Sequence, residues 1–182
     1  AIINFMWHQC PPRPGFSSSS CQWESTSTNS YAILSKLTDA EWNSLITDGS
    51  SWNVEYKQRM DFIAGYLKTL QSNGVEVMFR PLHEMNQGSF WWGGRTGANG
   101  TRRLYQITRD YMVNTHKLTN LIWVWDVQDL SSNYWEYNPG SNYFDVASLD
   151  IYSNGYWDDQ FYQALLNEAG NSVAPTGTVR VI

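Results

Sequence analysis

The hydrophobic positions of the chain form five short continuous runs, separated by loops and by stretches in which apolar residues have helical spacing. Apolar runs of about five residues bounded by turn-forming residues are typical of buried strands. The first run ends near His8 and is followed by a long loop of Pro, Gly, Ser and Thr over residues 9–29. The predicted strands are residues 2–7, 75–79, 121–125, 145–151 and 178–182.

Apolar residues recur every three or four positions between these runs, which predicts amphipathic helices. The longest such stretch is 53–72, and Asn73-Gly74 supplies its end. A shorter helix is expected over 39–46, with Thr38 or Asp39 as its N-cap. The other predicted helical segments are 31–37, 102–117 and 158–168.

The order strand, loop, helix, strand repeats along the chain and predicts an α/β protein with parallel strands. In such proteins the catalytic and ligand-binding residues lie at the carboxyl ends of the strands. No glycine-rich phosphate-binding turn follows the first strand, so a (β/α)₈ TIM barrel is favoured over a Rossmann sheet. The expected strand ends carry His8, the run Arg80-Pro81-Leu82-His83-Glu84, Trp125-Asp126 and Asp150-Ile151-Tyr152.

The length of the chain limits how much of a barrel it can form. A complete (β/α)₈ barrel takes about 250 residues, whereas this chain has 182 residues and begins inside a predicted strand without Met. We therefore expect residues 1–182 to be a single catalytic-type domain that contains only part of the barrel and lacks elements at both ends.

Charge and composition narrow the range of partners. The chain has 12 basic and 17 acidic residues and a net charge of -5, so no basic excess is present to neutralise nucleic-acid phosphates. No run reaches the roughly 18 apolar residues of a membrane span. We therefore expect binding neither to nucleic acid nor to a membrane, and we expect a monomer. Ten Trp, eleven Tyr and seven Phe provide rings that can stack on sugars; the alternative is that they only fill the core.

The two cysteines, Cys10 and Cys21, enclose ten residues rich in Pro and Ser. A disulfide between them would close a surface loop and would imply an oxidising, extracellular compartment. Two free thiols are the alternative. Because no His lies at a zinc-finger spacing from these residues, no metal site is expected, and nothing else in the sequence implies a cofactor.

Glu84 is the strongest candidate for a catalytic residue. It lies at a predicted strand end within Phe-Arg-Pro-Leu-His-Glu-Met-Asn (79–86), followed by Phe-Trp-Trp-Gly (90–93). A carboxyl group in such surroundings is placed to have its pKa raised, as a general acid needs near neutral pH. A structural pair between Glu84 and His83 is the alternative. The residue three beyond Glu84 is Gln87, so the zinc-protease pattern HExxH is excluded.

The run RPLHEMN over 80–86 with FWWG at 90–93 resembles the signature of family 26 glycoside hydrolases, which are mostly endo-β-1,4-mannanases. The strand 121–125, the D-x-Y pattern in 145–152 and the opening strand that ends in Trp7-His8 strengthen the resemblance, which spans about residues 2–169 in register. It implies a (β/α)₈ retaining hydrolase with its acid and nucleophile on two barrel strands.

The resemblance implies a role for each matching residue. Glu84 would be the general acid/base, with Arg80 and His83 supporting and orienting it. Tyr152 would hydrogen-bond the nucleophile. Asp150 would anchor its strand end or contact sugar, and a buried ion pair with Arg80 is the alternative. The other implied substrate-binding residues are His8, Asn86, Trp91, Trp92 and Trp125.

Several further tryptophans remain open. Trp123 is in phase with Trp125 on the same strand, which leaves open whether one of the two only fills the core. The other candidates for sugar platforms lie in loops or next to a helix: Trp23, Trp135 and Trp157.

The family's nucleophile, a Glu at the end of a later strand, has no counterpart at the corresponding place. Since the helix over 158–168 precedes a strand that begins near Thr178, we expect the nucleophile at or just after Ile182. Glu168 superficially resembles this Glu but continues the helical pattern. Asp126 and Asp129 are interpreted as loop or substrate contacts.

Three functions fit these observations. The leading hypothesis is an endo-β-1,4-mannanase, or the barrel fragment of one, acting on β-mannan or manno-oligosaccharides. The second keeps the mechanism but changes the sugar, as in a β-1,3-xylanase or a β-glucanase. The third is a non-catalytic carbohydrate-binding protein.

Overall fold

Five parallel strands form one sheet, in which each strand lies beside the next along the chain. The computed structural model describes residues 3–27, 30–129, 133–152, 163–164, 166–167 and 180–181. Each of the five predicted runs contains a strand, and the parallel order is the one that successive βα units produce. The strands are β1 (Ile3–Met6), β2 (Val77–Arg80), β3 (Leu121–Gln128), β4 (Val146–Asp150) and β5 (Arg180–Val181).

The connections between these strands contain the predicted helices except the one expected over 31–37. Helices α1 (Asp39–Ile46) and α2 (Ser51–Ser72) link β1 to β2, and α3 (Thr101–Asp110) links β2 to β3. A π-helical turn over Tyr111–Thr115 continues α3, so the helix predicted over 102–117 changes its hydrogen-bond pattern after Asp110. Residues 163, 164, 166 and 167 are helical, within the segment predicted over 158–168. Among the helices in the described ranges, none is long and apolar enough to cross a membrane.

Helix α1 begins where the sequence supplies a cap. The Glu41 N–H donates to the Thr38 hydroxyl oxygen at 3.3 Å, and the Thr38 N–H donates to the Glu41 carboxylate at 2.8 Å. This reciprocal pair satisfies two N–H groups that the start of a helix otherwise leaves unpaired. Thr38 is therefore the cap, and α1 has the predicted bounds.

The prediction of a helix over 31–37 is wrong. Ala32 instead forms a parallel bridge with Gln22, and the N–H of Leu34 donates to the Trp23 carbonyl at 3.1 Å. Tyr31 and Ala32 are buried. Pairing with a segment ten residues earlier satisfies the backbone of this region, so its local spacing did not decide its structure.

One face of α2 covers the sheet. Its residues Tyr56, Met60, Ala64 and Leu67 are buried and belong to the same hydrophobic cluster as Phe79 of β2. Burial of each large apolar side chain contributes about 1.5–3 kcal/mol. This packing fixes β2 from the helix side and thereby the position of the loop that follows Arg80.

Candidate active site

A cleft of about 630 Å³ opens at the carboxyl ends of the strands. This is the edge at which barrel enzymes carry their chemistry. The structure brings together six of the predicted site residues in its lining: His8, Arg80, His83, Glu84, Asp150 and Tyr152.

Glu84 lies in this cleft four residues beyond the end of β2 and is only 6% exposed. Its backbone has a φ of 52°, in the left-handed region that residues other than glycine rarely adopt. The Glu84 N–H donates to the Asp126 Oδ2 at 2.8 Å, which holds this conformation in place. Burial raises the pKa of Glu84, a hydrogen bond from the Tyr152 hydroxyl opposes the shift, and the Asp150 carboxylate adds to it.

Asp126 is the centre of the network beneath Glu84, although its sequence position suggested only a loop or substrate contact. Its side chain is fully buried and accepts hydrogen bonds from Arg80 at 2.9 Å, from the Glu84 N–H and from the Ser148 hydroxyl. Burial raises the pKa of Asp126, Arg80 opposes this shift, and Asp150 adds to it. A charged residue inside the apolar strand β3 was the sequence signal for this role, because buried charges require partners.

Arg80 joins three strands at the base of the cleft. Its Nη1 lies 2.9 Å from the Asp126 Oδ1 and 2.6 Å from the Asp150 Oδ1, and so links β2 to β3 and β4. The Arg80–Asp150 ion pair that the sequence left open as an alternative is therefore present, but it is only partly buried, since the Asp150 side chain is 25% exposed. Both residues also line the cleft.

His8 and His83 form an uncharged pair on the cleft wall. Their Nε2 atoms lie 3.0 Å apart, so one ring donates and the other accepts. Burial lowers the pKa of His83 to about 3, with His8 and Arg80 adding to the shift. Burial, followed by Arg80, also lowers the pKa of His8. Because both pKa values are lowered, neither imidazole carries an extra proton to donate near neutral pH. Glu84 remains the candidate acid.

Tyr152 contacts two carboxylates, the candidate acid Glu84 through its hydroxyl and Asp129 through its backbone. Its hydroxyl donates to Glu84, which raises the pKa of Tyr152, and its N–H donates to the Asp129 Oδ1 at 3.2 Å. The expected hydrogen bond from Tyr152 to the nucleophile stays a prediction, because the nucleophile is not among the described residues. Glu168, the possible substitute for the nucleophile, and Trp157 lie outside the described residues.

Trp91 and Trp92 do not offer a face to a sugar, in contrast to the expectation from the sequence. Both are fully buried. The Trp91 Nε1–H donates to the Gln9 carbonyl at 2.7 Å, and the Trp92 Nε1–H donates to the His83 carbonyl at 2.9 Å. Because their polar ends have internal partners and their rings lie in the core, these tryptophans support the cleft from beneath.

Trp125 is also buried and does not line the cleft. Its strand β3 is covered on both faces: Trp123, Val124, Trp125, Asp126 and Val127 are all buried. Alternation of inward and outward residues does not apply to such a strand. Both Trp123 and Trp125 therefore belong to the core, which resolves the question left open above.

Two aromatic residues of the cleft wall are Trp23, which is half exposed, and Phe90, which is buried and which the sequence showed only as part of the FWWG motif. The Phe90 ring stacks on Trp92 with centroids 4.5 Å apart and planes at 9°. The buried tryptophan thus orients the phenylalanine that reaches the cleft. Trp135 is half exposed but is not part of this lining.

Asn86 connects the loop after β2 to the end of β3 and does not line the cleft. Its Nδ2 donates to the Gln128 carbonyl at 2.6 Å, and its Oδ1 accepts from the Gln128 N–H at 2.7 Å. The predicted contact with substrate is not seen, because both ends of the amide are engaged by the backbone at the end of β3.

Asn86→Ala is expected to lower the free energy of unfolding by about 1–3 kcal/mol, because it leaves two partly buried backbone groups of Gln128 without these partners. Urea denaturation measures the change, and Asn99→Ala, at an exposed position, is the control. Equal stability of both variants would contradict the role assigned to Asn86.

Metal binding has no evident basis in the part of the chain that is described. No group of three or more His, Cys, Asp or Glu side chains lies close enough together there to hold an ion.

Comparison with known proteins agrees with this geometry. The sequence model of "Glycosyl hydrolase family 26" matches residues 1–179. A "Mannan endo-1,4-beta-mannosidase A and B" of Caldalkalibacillus mannanilyticus is 36% identical over 166 residues, which are 83% of this chain and 30% of that protein. A mannan endo-1,4-beta-mannosidase of Thermothelomyces thermophilus is 32% identical over 160 residues, 85% of this chain and 30% of that protein. The chain thus spans less than a third of the length of these two relatives.

Solved structures give the same answer for the fold. The GH26A protein from Muricauda sp. has a TM-score of 0.79 at 28% identity, covering 100% of this chain and 64% of that one. A β-mannanase from a symbiotic protist of the termite Reticulitermes speratus, complexed with a gluco-manno-oligosaccharide, has a TM-score of 0.64 at 26% identity, covering 88% and 56%. The parallel sheet is part of a (β/α)₈ barrel, as predicted. With its acidic cleft at the strand ends, the chain belongs to glycosyl hydrolase family 26.

Proposed function

We propose that the protein is an endo-β-1,4-mannanase that cleaves β-mannan and manno-oligosaccharides with retention of configuration, and that Glu84 is its general acid/base. One observation carries this proposal. Glu84 is a buried carboxyl group with a raised pKa, fixed by a backbone hydrogen bond at the base of an aromatic-walled cleft. The two relatives named above, both mannan endo-1,4-beta-mannosidases, support the choice of sugar.

The proposed reaction begins with a proton transfer. Glu84 donates its proton to the glycosidic oxygen as the bond between that oxygen and the anomeric carbon breaks, and a second carboxylate forms a bond to the same carbon. In the second step Glu84 removes a proton from water, whose oxygen displaces the enzyme carboxylate from the sugar. The second carboxylate is proposed to be a Glu on a later barrel strand, as the family resemblance implies.

The electrostatics of the cleft suit the first step. Burial and the neighbouring Asp150 favour the neutral form of Glu84, so a larger fraction carries a proton near neutral pH than for a carboxyl group in water. After proton transfer, the Tyr152 hydroxyl and the Arg80 charge stabilise the carboxylate. The same groups therefore support both protonation states that the reaction requires.

We further propose that the protein is a secreted monomer. The Cys10–Cys21 disulfide supports this location, because such bonds persist in oxidising compartments.

The test is release of reducing sugars from linear β-1,4-mannan by the full chain, including the strand that carries the second carboxylate, with proton NMR of the first product. We expect release, and the initial product in the β configuration. Release only from β-1,3-xylan or mixed-linkage β-glucan would overturn the choice of sugar. Binding of manno-oligosaccharides without any hydrolysis would favour the non-catalytic alternative, and an initial α product would overturn the retaining mechanism.

A further inference from the structure

A disulfide joins the two chain segments that carry one wall of the cleft. His8 lies two residues before Cys10, and Trp23 lies two residues after Cys21. Both side chains line the cleft, and their ring centroids are 5.3 Å apart. The covalent bond therefore lies next to the point where these segments meet over the cleft.

The rings of this wall contact one another and the residue next to the acid. Trp23 lies 6.1 Å and His8 lies 5.4 Å from Phe90, measured between ring centroids. His8 also shares a hydrogen bond with His83, which directly precedes Glu84. A displacement of Trp23 or His8 would thus alter the wall against which a sugar bound at Glu84 rests.

The two ends of the disulfide are anchored unequally. The Cys10 carbonyl accepts a hydrogen bond from the Arg59 Nη1 of α2 at 2.8 Å, which ties this end to the helix layer. Residues 14–20, which lead to Cys21, are all exposed. The loop buries no side chain over that stretch, although the Phe16 ring contacts Tyr31 with centroids 5.1 Å apart, so the packing that leads to Cys21 lies at the surface.

Backbone pairing fixes the direction of the Trp23 segment without enclosing its side chain. The Trp23 carbonyl accepts from the Leu34 N–H at 3.1 Å, and the Gln22 N–H donates to the Tyr31 carbonyl at 3.1 Å. The Trp23 side chain is nevertheless 49% exposed and is held by ring contacts at the surface. The disulfide is the covalent link between this segment and the anchored Cys10.

We propose that the Cys10–Cys21 disulfide is a positioning element for the sugar-binding wall: it holds His8 and Trp23 in contact and thereby lowers the KM for mannan chains, without taking part in the chemical step. The inference rests on the proposed mannanase function. A preformed wall spares the substrate the entropic cost of ordering these side chains on binding. A dithiol reductant would remove this effect by converting the disulfide into two thiols while it is itself oxidised to a disulfide.

The double variant Cys10→Ser/Cys21→Ser in the full chain tests this role. We expect its KM for mannohexaose to rise about five- to tenfold while kcat changes by less than about twofold. Ser18→Ala, in the same exposed loop, keeps the disulfide and should retain the KM of the wild type. A KM that stays unchanged in the double variant, or a kcat that falls as much as KM rises, would overturn the proposal.

Reversible reduction covers the case in which the double variant does not fold. Dithiothreitol should raise the KM of the folded wild type, reoxidation should restore it, and Ser18→Ala should respond in the same way. Mass spectrometry establishes the two free thiols. An unchanged KM in protein that carries both thiols would overturn the positioning role of the disulfide.

A binding measurement separates failure of this inference from failure of the proposed function. Mannohexaose is titrated by calorimetry into Glu84→Gln protein with the disulfide intact or reduced. Weaker binding after reduction supports the positioning role even if the wild type proves unable to hydrolyse mannan. Equal Kd values in the two redox states overturn it even if hydrolysis is observed.

Discussion

Glu84→Gln lowers kcat for mannan by about 10²–10⁴-fold, the range typical of a lost general acid, because the amide cannot give a proton to the departing glycosidic oxygen. Gln preserves the size of the side chain and can still accept the hydrogen bond from the Tyr152 hydroxyl. The loss should therefore fall on kcat, with a much smaller change in the affinity for manno-oligosaccharides. Initial rates of reducing-sugar release measure it.

The control for this variant is Glu76→Gln. Glu76 is exposed and directly precedes β2 at the opposite end of the same strand from the cleft. Its replacement should leave kcat unchanged. A second comparison uses an aryl mannoside with an acidic leaving group, whose departure needs little protonation. Glu84→Gln should slow its glycosylation step far less than that of mannan, and an equal loss with both substrates would contradict the assignment.

The pH dependence follows from the direction of the pKa shift. Since burial raises the pKa of Glu84, the protonated form that acts as the acid persists to higher pH than for a carboxyl group in water. Activity should fall as the pH rises through this raised pKa, which sets the alkaline limb of the kcat/KM profile. The residual activity of Glu84→Gln should lack that limb, and a profile identical to that of the wild type would count against Glu84.

Asp126→Asn is expected to lower the free energy of unfolding by about 3–5 kcal/mol, as when one partner of a buried ion pair is removed. The replacement places an amide N–H₂ group among three donors: the Arg80 guanidinium, the Glu84 N–H and the Ser148 hydroxyl. Chemical denaturation measures the loss. Activity of the folded fraction should fall as well, because the Glu84 backbone loses the acceptor that holds it.

The matched control is Asp150→Asn, which removes the other carboxylate partner of Arg80. Asp150 is one-quarter exposed in its side chain, and water can replace part of what is lost. Its destabilisation should therefore be clearly smaller than that of Asp126→Asn. Equal losses in the two variants would mean that the bonds from Asp126 to Glu84 and Ser148 contribute nothing beyond the ion pair.

The positions of the strands and of the acid could be predicted because their signals are local. Continuous apolar runs located all five strands, and the polar residues that follow them, such as His8 and Glu84, line one cleft. Parallel strands place their carboxyl ends at one edge, so spacing along the chain was sufficient to bring these residues together. The start of α1 is local in the same way, and the sequence narrowed its N-cap to Thr38 or Asp39.

The rest depended on pairings between distant segments. Asp126 lies 42 residues from Glu84 along the chain, and its role arises only when β3 is placed beside β2. Trp91, Trp92 and Trp125 contain the same aromatic groups as a sugar platform, and only the packing of the core around them decides that they are buried. The segment 31–37 does not form the predicted helix because its backbone pairs with Gln22 and Trp23.

Because the backbone of Glu84 is left-handed, the side chain that catalysis requires at this position is not the one that would make the folded state most stable. A left-handed conformation costs a residue with a Cβ about 1–2 kcal/mol, and burial of a carboxyl group adds to the strain on the folded state. Selection for heat resistance alone would drive this position toward glycine or asparagine and abolish the acid. Thermostable relatives that remain active must gain their stability elsewhere, and libraries screened only for survival of heating would accumulate well-folded proteins with no acid.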